Sequence, residues 1–357
     1  MHRSKTIWRS KCKGVSSFVT CHSQPNMQGK FKSCGSSQVW LMDHVRADNQ
    51  LIRTFSDLNI ALNDIGEFAS SFDTDSLTFA LYELQSVRSS LGDEDSFLRA
   101  QSFVRRHRTF SLLLEDPYTH HAFTKPRGFA GDASLIDLFY GHRSGAEAET
   151  STGRFLFETL MRFPSCESVR FRRGYYGAFI DRVTSEQGGK ADVLAIACGH
   201  MREAKFSRAV TDGAVNLTGI DSDPLAVAEA QRSLALPNVT VRNDSVIDFI
   251  RRRAWGETYD GIYASGLFDY LDVRIGRKVV ETAFTALRPG GTLSIANYLP
   301  TIVEQGYMDL VMDWRLIYRT SSDMLVLTTN LPQDQADVMV WTDPLDAVVY
   351  LTVTKRG

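Results

Sequence analysis

Val193-Leu194-Ala195-Ile196-Ala197-Cys198-Gly199-His200-Met201 is an apolar run of strand length that stops at a glycine and passes into a helical stretch. A continuous apolar run this short, closed by a turn residue, fits a strand buried on both faces. The same grammar continues to the C-terminus. Val215-Asn216-Leu217-Thr218-Gly219-Ile220 ends at Asp221, and Asp223-Pro224 opens a helix containing Leu225, Val227, Ala228 and Ala230. Val239-Thr240-Val241 ends before Asn243-Asp244-Ser245, which begins another helix. Tyr259–Ala264 is a fourth strand, and Leu287-Arg288-Pro289-Gly290-Gly291 stops a helix ahead of a fifth at 292–296. Residues 324–329 and 348–353 are expected as the last two strands. Strands separated by helices specify an α/β protein with a mostly parallel, doubly wound sheet. Ligands of such sheets sit beyond the carboxyl ends of the strands.

Upstream, residues 43–188 read as a helical domain placed to cover the mouth of the sheet domain, 189–357. Leu51, Phe55, Leu58, Leu62, Ile65 and Phe68 recur at threes and fours, giving one apolar face. Asp75 or Ser76 is expected to cap a second helix through Leu77, Leu81, Leu84 and Val87, and Ser96 a third with Phe97, Phe103, Phe110 and Leu113 inward. The loop Lys125-Pro126-Arg127-Gly128-Phe129-Ala130-Gly131-Asp132 breaks the run. It reads either as a lid, with Arg127 taking a substrate carboxylate, or as a rigid connection packed through Phe129. A short helix through Leu135, Leu138, Phe139 and Tyr140 and a linker at 141–153 follow. One long helix is expected over 154–185, carrying Arg170-Phe171-Arg172-Arg173-Gly174-Tyr175-Tyr176.

The 357 residues carry a formal net charge of −2, hidden in which is a polarised start. Residues 1–42 hold seven basic side chains and no acid, have no helical or strand period, and are expected to form a disordered tail. Cys12, Cys21, His22 and Cys34 fit no zinc spacing, so no metal is expected. The acidic remainder argues against a nucleic-acid partner. No stretch is apolar enough for a membrane span, and five cysteines without a CxxC pair are too few for a disulfide scaffold, so a cytoplasmic protein is expected.

The strand ends carry the chemistry. Ala197-Cys198-Gly199 occupies the place of a nucleotide-binding loop, yet no GxGxxG is present and His200 and Met201 would crowd a diphosphate. That disfavours NAD and nucleoside triphosphates. Asp221, at the end of the second strand, suits ribose hydroxyls. Asp244 can accept from an exocyclic amine, and the Ser245 and Val246 amides can face an adenine edge. An adenosine pocket without phosphate recognition is satisfied by S-adenosylmethionine. Cys198 reads as a small loop hydrophobe, His200 as a solvent-facing helix start, and Arg251-Arg252-Arg253 as a solvated helix end.

Segments 191–203, 219–230, 243–249, 259–271 and 287–300 resemble the successive motifs of class I S-adenosylmethionine-dependent methyltransferases, over about 190–357. The first motif departs from the acid-x-Gly-x-Gly-x-Gly pattern, with Ala195, Ala197 and Met201 at acid and glycine positions. The resemblance implies a Rossmann-like fold with Ala197, Cys198, Gly199, Asp221, Asp223, Asp244, Ser245 and Ser265 around the cosubstrate. A narrower similarity rests on 125–132, Arg172-Arg173, the Ala-Cys-Gly loop and Ala296-Asn297-Tyr298. It points to the group around hydroxy-fatty-acid methyl ester synthesis. With Tyr175-Tyr176 and Asn297 it is most similar to azetidine-2-carboxylate synthases of non-ribosomal peptide pathways.

That resemblance implies a lyase-type cyclase of secondary metabolism. The amine of S-adenosylmethionine would attack its own Cγ and release 5′-methylthioadenosine. The product would pass to a non-ribosomal peptide synthetase without a stable complex. Tyr175 and Tyr176 would shape the methionine moiety, one ring over the sulfonium, and Asn297 would bond its amine or carboxylate. The plainer reading makes the tyrosines a helix pair packed in the core and Asn297 a strand-end turn residue. Asp269 and Tyr270 are candidates for the open end of the pocket. Methyl transfer to a small-molecule carboxylate is the alternative reaction.

Overall fold

The computed structural model describes residues 35–357, with side chains described from residue 52 onward. Helices come first: α1 Gly35–Ser71, α2 Thr74–Ser90, α3 Glu94–Arg106, α4 Thr109–Leu113, α5 Pro117–Thr124, α6 Ala133–Phe139, α7 Ser151–Leu160 and α8 Pro164–Glu186. Asp73 and Asp93 cap α2 and α3 by accepting the amides of Ser76 and Ser96, so both helices begin earlier than expected from Asp75, Ser76 and Ser96. The single helix expected over 154–185 is two. Phe163 is extended and Pro164 starts α8, because proline disfavours helix in the residue before it and suits the first helical position. The expected irregular tail is corrected over 35–42, which are helical. No proline or glycine interrupts 36–65. Cys12, Cys21, His22 and Cys34, and the basic residues through Lys32, lie outside the described residues.

The second half alternates as expected: β1 Ala191–Ile196, α9 Arg208–Thr211, β2 Val215–Ile220, α10 Pro224–Ser233, β3 Val239–Arg242, α11 Val246–Arg251, β4 Tyr259–Ala264, α12 Val273–Ala286, β5 Leu287–Tyr298, α13 Gln305–Leu310, α14 Ser321–Val326, β6 Ala336–Thr342 and β7 Val348–Lys355. The strands form one seven-stranded sheet in the order β3-β2-β1-β4-β5-β7-β6. β1 to β5 are parallel, and β7 returns antiparallel between β5 and β6. The strand expected at 324–329 is instead the end of α14 and the turn after it. There Thr320 and Asp323 form a reciprocal capping box that commits the segment to helix.

Because side chains alternate across a strand, β1 feeds two cores. Val193 and Ala195 join one with Tyr176, Phe179 and the helices of the first half, while Leu194 and Ile196 join another with α12. The first core runs without a break from Leu58 to Tyr350, so the helical half and the sheet share one interior. Among the described residues no helix is long and apolar enough to cross a membrane.

Candidate functional site

The loop leaving β1 turns on three residues with positive φ, Ala197 at 51°, Gly199 at 54° and Met201 at 50°. Only one is glycine, so this backbone path is held against the steric cost of a side chain. Its neighbour supplies the room. A Cβ on Gly219 of β2 would overlap Met201 Sδ and lie 2.8 Å from Cys198 Sγ. Asp221 then braces the turn: its carboxylate accepts the Gly199 amide at 2.7 Å and the Asp223 amide at 2.9 Å. Burial raises the Asp221 carboxyl against these bonds.

Above this loop lies a cavity of about 270 Å³. Its β-side wall includes Ala197, Cys198, Gly199, Asp221, Asp223 and Ser265. The lining also includes five aromatic side chains, Phe129 and Tyr140 from the helical half and Tyr270, Tyr298 and Trp314 from the sheet half. Trp314 Nε1 donates to the Tyr270 hydroxyl at 2.9 Å. Gly131 passes so close to both rings that a Cβ would overlap them.

Arg172, Glu203 and Asp269 are among the buried charged side chains that line this cavity, with Asp132, Asp137 and Arg202. Arg172 is 4% exposed, and its Nε and Nη1 find no hydrogen-bond partner. Glu203 accepts the Tyr263 hydroxyl at 2.8 Å, and burial raises its carboxyl. Asp269 accepts the Tyr298 amide at 2.8 Å. Burial pushes it up to about 6, although that bond and the charges of Arg172 and Arg319 oppose the rise.

A polar network joins the loop 125–132 to the β1 loop. His200 is buried, not solvent-facing as expected, because its Nδ1 lies 2.9 Å from Asp137 Oδ2 and its Nε2 3.2 Å from Arg127 Nη1. Arg202 reaches both Asp137 oxygens, at 2.9 and 2.7 Å, and Glu229 at 2.9 Å. Burial alone would push the Asp137 carboxyl up; the bonds from Arg202 and His200 outweigh it and hold it well below the usual range. Arg127 also meets Asp223 at 3.2 Å, and Lys125 pairs with Asp313 at 2.8 Å. The loop 125–132 is thus held by ion pairs at Arg127 and at Lys125.

The structure brings together Ala197, Cys198, Gly199, Asp221, Asp223 and Ser265, with Arg127 one contact behind and Asp269 and Tyr270 also in the lining. Five expected site residues fall elsewhere. Tyr176 is fully buried in the core, stacked on Tyr263 at 4.8 Å, and Tyr175 packs on Trp341 and Tyr350 with its hydroxyl 3.0 Å from Ser294 Oγ. Neither ring lines the cavity. Asn297 donates to the Ile317 and Tyr298 carbonyls and accepts from Arg319 at 2.6 Å, so its amide is spent on the backbone behind the site. Arg319 in turn holds the carbonyls of Phe268 and Leu271, on either side of Asp269 and Tyr270. Asp244 turns to Arg242 and Arg252, at 3.7 and 3.8 Å. Ser245 closes a capping box with Asp248. Both stand outside the cavity lining.

Arg172, Glu203, Asp137, Tyr298 and Trp314 were not singled out as ligands by the sequence. Among the described residues no group of His, Cys, Asp or Glu is arranged to hold a metal ion.

Residues 193–291 match a family model described as a methyltransferase domain. No curated protein matches the chain. Among solved structures, a possible exported protein from Bordetella parapertussis is similar with a TM-score of 0.53 at 18% identity, covering 73% of this chain and 97% of its own. The plantazolicin methyltransferase BpumL, in complex with SAH, gives 0.44 at 16% identity over 72% of this chain and 100% of its own. The N-methyltransferase NodS from Bradyrhizobium japonicum WM9, in complex with S-adenosyl-L-homocysteine, gives 0.37 at 16% over 51% and 87%. The fold is therefore a methyltransferase-like Rossmann fold with a helical region in front of it.

Proposed function

We propose that the chain is an S-adenosylmethionine-dependent methyltransferase acting on a small-molecule carboxylate. The observation that carries this is the composition of one cavity. A strand-end loop without a phosphate cradle, the braced Asp221, five aromatic side chains and a buried unpaired arginine share its lining. A sulfonium nucleoside fits such a lining: the aromatic faces attract its charge, and nothing asks for a diphosphate. When bound, S-adenosylmethionine supplies an electrophilic methyl group.

The cavity presents no free nitrogen or sulfur base to activate an acceptor, only carboxylates such as Glu203 and Asp269. Its lining includes no lysine; burial raises the Cys198 thiol; and His200 is engaged on both nitrogens, by Asp137 and Arg127. A carboxylate needs no base to attack. Its oxygen forms the new bond to the methyl carbon, the carbon–sulfur bond breaks with its electron pair to sulfur, and a methyl ester and S-adenosylhomocysteine result. Phe129, Tyr140 and Trp314 would exclude water and large acceptors.

The test is to incubate the pure protein with S-adenosylmethionine, with and without a panel of small carboxylic acids, and to weigh the nucleoside product. S-adenosylhomocysteine formed only when an acid is present supports methyl transfer. 5′-Methylthioadenosine released without any acid would favour ring closure to azetidine-2-carboxylate, the reaction implied by the narrower resemblance. The residues expected to carry that chemistry, Tyr175, Tyr176 and Asn297, lie outside the cavity.

A further inference from the structure

Ala195, at the place of an acid in the first motif, can bond no ammonium group. Its neighbour on β4 is Tyr263, paired with it in register. To the Tyr263 hydroxyl comes Glu203, from the 3₁₀ turn Arg202–Phe206 that follows the β1 loop. A buried carboxylate is thus delivered beside the strand position that lacks one. Tyr263 engages only Oε1 at 2.8 Å, and a carboxylate has acceptor capacity for further donors.

Arg172 supplies the opposite charge. It reaches the same cavity from α8, 4% exposed, with buried Nε and Nη1 unpaired. An ionised guanidinium left without partners in the interior is costly, and it is geometrically suited to a planar carboxylate. Glu203 and Asp269 both lie near enough to feel its charge, yet neither bonds it.

We propose that Glu203 and Arg172 form a clamp for an α-ammonium carboxylate, the amino-acid end of S-adenosylmethionine. Glu203 takes the ammonium in place of the missing acid at 195, and Arg172 takes the carboxylate. The inference rests on the proposed function and adds the residues that read the methionine end.

The experiment compares two nucleosides by titration calorimetry on the full chain: S-adenosylhomocysteine, which has the amino-acid end, and 5′-methylthioadenosine, which lacks it. Glu203→Gln and Arg172→Met are each expected to weaken S-adenosylhomocysteine at least tenfold while leaving 5′-methylthioadenosine within twofold, which also shows that the pocket is intact. If either truncation unfolds the chain, Glu203→Asp and Arg172→Lys carry the same comparison, with a smaller but still selective loss expected. Parallel changes for the two nucleosides, or none, overturn the clamp and leave the methyltransferase reading standing. A wild-type chain that binds neither nucleoside overturns that reading itself.

Discussion

The Asp221 carboxylate accepts the Gly199 amide at 2.7 Å, tying the end of β2 to the loop that leaves β1. The sequence suggested a sugar-binding acid; in the structure this side chain is the brace of the loop, holding the Asp223 amide with its second oxygen. Both bonds go to a charged acceptor, each worth roughly 1.5–3 kcal/mol.

Asp221→Ala should therefore lower stability by about 2–4 kcal/mol, the two bonds less the relief of the buried carboxylate, and weaken S-adenosylhomocysteine binding more than tenfold. Asp221→Asn, which keeps one acceptor, should lose about half as much stability. Urea melts and calorimetry check both, and an unchanged melt for the alanine variant would refute the bracing role.

Tyr176→Phe makes the opposite case. The Tyr176 hydroxyl reaches only the Ala264 and Ser294 carbonyls, at 3.4 and 3.5 Å, and its ring lies in the core. Such long bonds contribute little. The substitution should leave nucleoside affinity and turnover within twofold and stability within about 1 kcal/mol. A tenfold loss of turnover with an unchanged melt would return Tyr176 to the reacting site.

That Tyr176 lies in the core and Arg172 at the cavity is a matter of one helix. They are one turn apart on α8 and share its buried face, Arg172 at the cavity and Tyr176 against the sheet. Spacing finds that face but not what lies opposite each turn of it. β1 was legible because a strand buried on both sides is apolar throughout. β6 was not: it forms the sheet edge, with Val338 and Met339 exposed, so its pattern carries no inward signal. Its place in the reading went to 324–329, where Met324 and Leu327 face the core from the end of a helix, begun by the Thr320–Asp323 capping box, and the turn after it. Asp137 and Glu203 gain meaning only from partners 65 and 60 residues away, Arg202 and Tyr263, which no local pattern encodes.

Ala197→Gly tests the strained turn. Ala197 holds φ at 51°, a conformation that costs a residue with Cβ about 1–2 kcal/mol. Glycine removes that cost but adds roughly 0.4–1 kcal/mol of unfolded-state entropy. The variant should be as stable as the wild type or up to about 1.6 kcal/mol more so, and should still bind S-adenosylhomocysteine. Gly199→Ala should go the other way, since φ is +54° and the new Cβ would lie 3.1 Å from Ala133 Cβ. Thermal melts of the two variants decide the matter, and a glycine variant clearly less stable than the wild type would refute the strain.

Asp269 gives a pH dependence of determined sign. Burial raises its carboxyl to about 6 in the folded chain, against the bond from Tyr298 and the charges of Arg172 and Arg319. The folded state then binds the proton more tightly than the unfolded one, so this group's contribution to stability is greatest below about pH 4 and falls as pH rises to 6. At pH 7 the penalty is of the order of 3 kcal/mol. Asp269→Asn keeps an acceptor for the Tyr298 amide and never ionises. Subtracting its stability curve from that of the wild type isolates this group from other buried acids such as Asp116, which burial also pushes to about 6. The variant should gain about 1–3 kcal/mol over the wild type at pH 7, with the gap closing by pH 4. A gap that stays constant from pH 4 to 8 would mean that Asp269 titrates as an ordinary surface acid and is not buried at the cavity wall.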